Sequence, residues 1–154
     1  MKPKIALPEN EFKLKGLYNF LELIFDDDEH RIGIAEALLE RLRQKRETYT
    51  EDWLEVILEY LGEQDLLEQY HELLNKFDEG EITKTRINKL IEKELRERGY
   101  PAAKLRKDWS IVKKTLIQLG IVSRTSNRLN LSWEFVEKLN TLTKFYNLWR
   151  AGEI

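Results

Sequence analysis

Along most of this chain apolar residues return every third or fourth position, the period of an amphipathic helix. Residues 10–25 carry Leu14, Leu17, Tyr18, Leu21, Ile24 and Phe25 at that spacing. Asp26, Asp27 and Asp28 interrupt the pattern and offer cap oxygens to a second helix at about 29–47, with Ile32, Ala35, Leu38, Leu39 and Leu42 inward. Its closing run RLRQKR places cations against the C-terminal dipole. Thr48 and Glu51 have capping-box spacing, which predicts a third helix through Trp53, Leu54, Ile57, Leu58 and Leu61, stopped by Gly62. A fourth carries Leu66, Leu67, Tyr70, Leu73, Leu74 and Phe77.

Beyond DEGE at 78–81, a helix over about 83–98 buries Ile87, Leu90, Ile91 and Leu95, and Gly99-Tyr100-Pro101 turns the chain. Residues 101–108 make about two helical turns, with Asp108 capping a separate helix over 109–119 that Gly120 stops. The period then changes to two. LGIVSRTSNRLNLSW alternates apolar and polar residues across a turn at Ser126 and Asn127, which predicts a β-hairpin. Ser132 caps a last helix, from Trp133 to about Arg150, rich in large apolar residues. The fold class is therefore mainly α: an N-terminal helical bundle, then helices around one short β-hairpin.

Charge divides the chain more sharply than hydropathy does. The 154 residues sum to only −2, yet residues 1–80 hold 10 Lys/Arg against 20 Asp/Glu. Residues 81–154 hold 16 against 8. The sign change at 78–81 suggests two parts, an acidic bundle over 1–80 for a protein partner or dimerisation and a basic part over 81–154 for a polyanion. From Gly99 to Arg128 there are seven cations (Lys104, Arg106, Lys107, Lys113, Lys114, Arg124, Arg128) and one acid, Asp108.

The order helix, helix, helix, two-stranded hairpin, helix resembles the winged-helix variant of the helix-turn-helix fold over about residues 82–138. The stretches that carry it are ITKTRINKLIEKEL, PAAKLRKD, WSIVKKTLIQLGIV and RLNLS, with the Leu-Gly turn leading the third helix into the first wing strand. The resemblance implies a DNA-binding module whose third helix enters the major groove. A wheel of that helix places Trp109, Val112, Leu116 and Leu119 inward. Ser110, Lys114 and Gln118 then face out toward base edges, with Lys113 at the border. Lys104, Arg106, Lys107 and Lys113 would meet phosphates. Asn127 in the turn, and Arg124 and Arg128 at its shoulders, would act from the wing beside the helix.

Other chemistries find little footing. There is no cysteine, so disulfides and thiolate sites are excluded and a reduced, cytoplasmic setting is compatible. No apolar run approaches the ~20 residues of a membrane span, and the N-terminus lacks a signal peptide's apolar stretch. His30 follows three aspartates, but contiguous residues on a helix point apart, so capping explains them better than a metal. His71 has no second histidine at zinc-protease spacing, and no phosphate loop or nucleophile motif is present.

The expectation is a non-enzymatic, cofactor-free binder of double-stranded DNA, a transcriptional regulator, with RNA left open. The other reading is a small helical subunit or adaptor of a protein or ribonucleoprotein assembly of defence or mobile-element type, its winged helix an interaction module. The acidic half (Tyr18, Trp53, Tyr60) and the last helix are the candidate contacts for a protein partner or for self. Trp109, Trp133 and Trp149 are expected as core anchors, and the last helix either packs back on the bundle or pairs between copies.

Overall fold

The computed structural model describes residues 16–154. Seven α-helices and three short strands follow in the order α1 (Leu17–Phe25), α2 (Glu29–Arg43), β1 (Thr48–Tyr49), α3 (Trp53–Leu61), α4 (Gln64–Asp78), α5 (Lys84–Glu97), α6 (Ala102–Leu119), β2 (Val122–Thr125), β3 (Arg128–Leu131) and α7 (Glu134–Arg150). The protein is mainly α with a small antiparallel sheet, as the sequence predicts. Leu14 and the first turns expected of the opening helix lie outside the described residues.

Asp28 caps α2 by accepting a hydrogen bond from the Arg31 N–H at 3.1 Å, the role expected of the aspartate run. The cap after β1 differs from expectation. Asp52 accepts from the Tyr49 N–H at 2.7 Å, while Thr48, expected as the cap, is buried in β1. Its hydroxyl instead accepts from Arg41 Nε at 3.3 Å and donates to the Arg46 carbonyl at 3.2 Å. A short strand has displaced a helix cap, because Thr48 has a sheet partner in Leu129 that lies far along the sequence.

That pairing ties the two halves together. The sheet order is β1-β3-β2, so a strand from the acidic half forms one edge of the wing hairpin, and the Thr50 N–H extends the contact to the Asn127 carbonyl at 2.8 Å. On the other side α2 packs against α1, α3, α6 and β3. One continuous core runs from Leu21 and Ile32 through Leu54, Ile57 and Leu66 to Ile87, Leu105, Trp109, Val112, Leu116, Val122 and Leu129. Residues 78–81, the expected boundary, lie at the turn between α4 and α5, and the core is continuous across it.

Residues 101–119 also differ from expectation, forming one uninterrupted helix, α6. Asp108 caps nothing; it is buried mid-helix with Arg31 Nε of α2 at 3.2 Å and Lys104 Nζ at 3.0 Å. A buried carboxylate needs paired charge and hydrogen bonds, and these two cations supply both. Arg41 is the mirror case, a buried cation held by Glu59 at 2.6 Å and Glu55 at 3.3 Å. The Arg31–Asp108 pair joins elements distant in sequence, and Arg41 ties α2 to α3.

Glycine matters at two positions. Gly120 ends α6 at φ 81°, and a β-carbon there would press within 2.9 Å of the Phe135 nitrogen, so the turn into β2 runs tight against the start of α7. Gly33 lies under the ring of Tyr60, whose hydroxyl is 3.0 Å from His30 Nδ1. Gly33→Ala should therefore destabilise by about 1 kcal/mol, because ~1–3 kcal/mol of overpacking outweighs ~1 kcal/mol of helix propensity. In a Tyr60→Ala background the same substitution should become neutral or stabilising. A double-mutant cycle by denaturant unfolding checks this; equal effects in both backgrounds would disprove the close contact.

Candidate nucleic-acid interface

The site is built on α6 because its two faces differ so strongly. Ala102, Leu105, Asp108, Trp109, Val112, Thr115 and Leu116 are buried and fix the helix's rotation on α2 and α3. At roughly 1.5–3 kcal/mol for each large apolar side chain taken from water, that orientation is strongly specified. The opposite face then presents Lys107, Ser110, Lys114 and Gln118 along successive turns. Lys107, Lys114 and Gln118 are exposed and Ser110 is half-buried. Among the described residues no carboxylate lies within ion-pairing distance of Lys107, Lys113, Lys114, Arg124 or Arg128.

Lys113 occupies the edge of that face toward β2. Burial lowers its ammonium pKa below the usual range, and the nearby charges of Arg124 and Lys114 push the same way. Three cations thus gather without a counter-ion, an arrangement a polyanion would relieve. Arg124 has a second job. Its Nε donates to the Ser126 carbonyl at 2.7 Å and its guanidinium reaches Asn127 Oδ1 at 3.3 Å, bracing the turn where Ser126 takes a φ of 57°.

The remaining expected residues fall elsewhere. Lys104 turns toward α2 to pair with Asp108. Arg106 lies over the Trp53 ring at 5.4 Å, 4.0 Å from Glu92, at the edge toward α3 and α5. Arg128 does not join Arg124 beside the helix. Opposed residues of an antiparallel pair share a face and neighbours alternate, so the pairs Arg124–Leu129 and Thr125–Arg128 put the two arginines on opposite faces of the hairpin. The reason is the two-residue turn, which leaves them an odd number of positions from register.

Arg128 instead lines a shallow cavity of about 220 Å³ with Lys45, Arg46 and Asn130. Sequence reasoning assigned RLRQKR only to the helix dipole and so missed Lys45 and Arg46 here. Their nearness to Arg128 follows from β1 pairing with β3, which no local pattern reveals. Arg46 is also engaged by Glu59 at 3.2 Å, so this second cluster is partly neutralised. Among the described residues no group of three His, Asp or Glu side chains could hold a metal, and no helix is long and apolar enough to cross a membrane.

Of the aromatic docking candidates, Trp53 is buried, Tyr60 is half-covered against Gly33, and Tyr18 is exposed. Trp109 is the core anchor expected, whereas Trp133 and Trp149 are exposed. No protein-family model, curated protein or solved structure matches the chain.

Arg124→Ala should raise the Lys113 pKa part of the way to its ordinary value, since burial, the larger cause, remains. Titration of isotopically dimethylated lysines by NMR would read this directly. An unmoved Lys113 resonance would mean the two charges are not neighbours in solution.

Proposed function

We infer that the protein binds double-stranded DNA through the outward face of α6, with the β2–β3 hairpin as a flanking wing, and acts without catalysis as a transcriptional regulator. The observation that carries this is the basic face Lys107–Lys113–Lys114–Arg124, without a carboxylate in ion-pairing distance among the described residues, in a protein whose buried charges Arg41 and Asp108 are paired. A single α-helix fits the ~12 Å major groove of B-DNA, whereas the corresponding groove of A-form RNA is too deep and narrow. We read the winged helix here in a form different from the one expected over 82–138, where only α5 and α6 precede the hairpin. Its helical triad would be α2, α3 and α6, with β1 as the third strand, and α4 and α5 would be an elaboration between α3 and α6.

In this reading Ser110, Lys114 and Gln118 approach base edges. Lys107, Lys113 and Arg124 contact phosphates, and Asn127 lies at the tip of the wing. Lys104 and Arg106, both anchored to neighbouring side chains, contribute mainly to the field. Arg128 with Lys45 and Arg46 would meet phosphate only if the duplex wraps past the hairpin. A protein-interaction role is favoured by a different observation, the uncovered apolar face of α7, and the two roles are compatible.

Lys107→Ala with Lys114→Ala should weaken duplex binding, and loss of the Lys107 phosphate contact should reduce the slope of log affinity against log salt by about 1, at ~0.9 per phosphate contact. Arg43→Ala with Lys76→Ala, exposed cations on α2 and α4, should change neither. Fluorescence anisotropy across a salt series measures both pairs. Equal losses from both would reduce the effect to net charge and remove the site assignment.

A further inference from the structure

The last helix presents a surface that the described residues leave without a partner. None of the residues of α7 is buried, and its ties to the body lie in its first turns: Phe135 is edge-on to Phe20 at 5.9 Å, the Phe135 N–H donates to the Gly120 carbonyl at 2.9 Å, and Lys138 Nζ donates to the Gln118 carbonyl at 3.1 Å. Beyond those contacts Leu142, Phe145, Tyr146 and Trp149 are 65, 59, 56 and 60 % exposed, and Leu139 is 42 % exposed. Apart from the Phe135–Phe20 contact, the helix does not pack back on the acidic bundle among the described residues.

Spacing identifies what kind of surface this is. Phe135, Leu139, Leu142, Tyr146 and Trp149 follow one another at intervals of four, three, four and three residues. That is the seam of a coiled coil, which only another helix of the same pitch fills along its length. With Phe135 engaged by Phe20, the free seam is Leu139 to Trp149. Phe145, Tyr146 and Trp149, on or beside the seam, alone leave about 350 Å² uncovered, taking ~200 Å² for each ring system. A monomer's largest apolar patch is ~300–600 Å². Adding Leu139 and Leu142 brings the seam toward the top of that range, an area that α7 of a second copy would cover.

Charge sets the direction. The first part of α7 carries Glu134 and Glu137, with Lys138 paired to Glu134 at 3.4 Å, and the last part carries Lys144 and Arg150. Antiparallel pairing opposes the helix dipoles, whereas parallel pairing aligns them and brings the two acidic first turns together.

We propose that α7 is a homodimerisation element that pairs antiparallel with α7 of a second copy, stacking Leu139 on the partner's Trp149 and Leu142 on the partner's Tyr146. The helix rises about 25 Å over its length, at ~1.5 Å per residue, so the two bodies sit at opposite ends of the pair. This inference concerns a different surface from the outward face of α6 and does not rest on DNA binding.

Sedimentation equilibrium of the full chain at micromolar concentration should give a dimer. Leu142→Glu, at an exposed position, should give a monomer with unchanged far-UV circular dichroism. The chain lacks cysteine, so single substitutions report pairing directly. Mixed Leu139→Cys and Trp149→Cys chains should oxidise to the heterodisulfide. A dimer unaffected by Leu142→Glu, or a monomer at every concentration, would overturn the proposal. Preferential Leu139→Cys homodisulfides would overturn its antiparallel form. A monomer in which Leu142→Cys is shielded from maleimide would assign the seam to an intramolecular partner instead.

Discussion

The packing of α2 along α6 is the contact on which the rest of the architecture depends. α2 also meets α1, α3 and β3, so one helix from the acidic half fixes the rotation of the basic helix and the seat of the hairpin. Arg31 reaches across this contact to the buried Asp108, and Arg41 at the far end of α2 gathers Glu55, Glu59 and Thr48. Stripping Asp108 or Arg41 of its partners would leave a buried charge unpaired, which costs about 3–5 kcal/mol. These charges therefore lock the arrangement more than they stabilise it.

The division of charge acquires a structural sense from this arrangement. Many carboxylates of the acidic half are turned to internal work: Glu55 and Glu59 hold Arg41, and Glu63 and Asp65 hold Arg98 at the end of α5. The Asp65 carboxyl is held down to about 2 mainly by its hydrogen bonds to Arg98. Cations at the seams between elements are neutralised in this way. Those on the outward face of α6 are not, and that contrast survives in a chain whose net charge is only −2. That cationic face is set by the buried side of α6, which forces it outward.

Local signals were legible and long-range ones were not. Helix periodicity located the elements of the described chain, and Asp28, Gly62 and Gly120 ended or began helices where their chemistry suggested. The period-two stretch gave the hairpin, and the wheel of residues 109–119 correctly separated Trp109, Val112 and Leu116 from Lys114 and Gln118. Asp108 was misread as a cap because aspartate before an apolar run is the usual cap signature. Only the tertiary partner Arg31 explains its place inside a helix. β1 is two residues long and carries no period, so its pairing with β3 was invisible. The shared core, the position of Lys45 and Arg46 near Arg128, and the separation of Arg124 from Arg128 were invisible with it. The aromatics of α7 were legible as apolar, but only the structure shows that nothing in the described chain covers them.

If α2 organises the basic face, the two halves of the chain must open together. Amide hydrogen exchange as a function of denaturant measures the opening free energy of each element in the intact protein. The expected result is that core amides of α2, α3, α6 and β3 converge on one global unfolding free energy. A lower-energy opening of α6 and β3 while α2 and α3 stay protected would contradict the account, and would restore two bodies joined at 78–81.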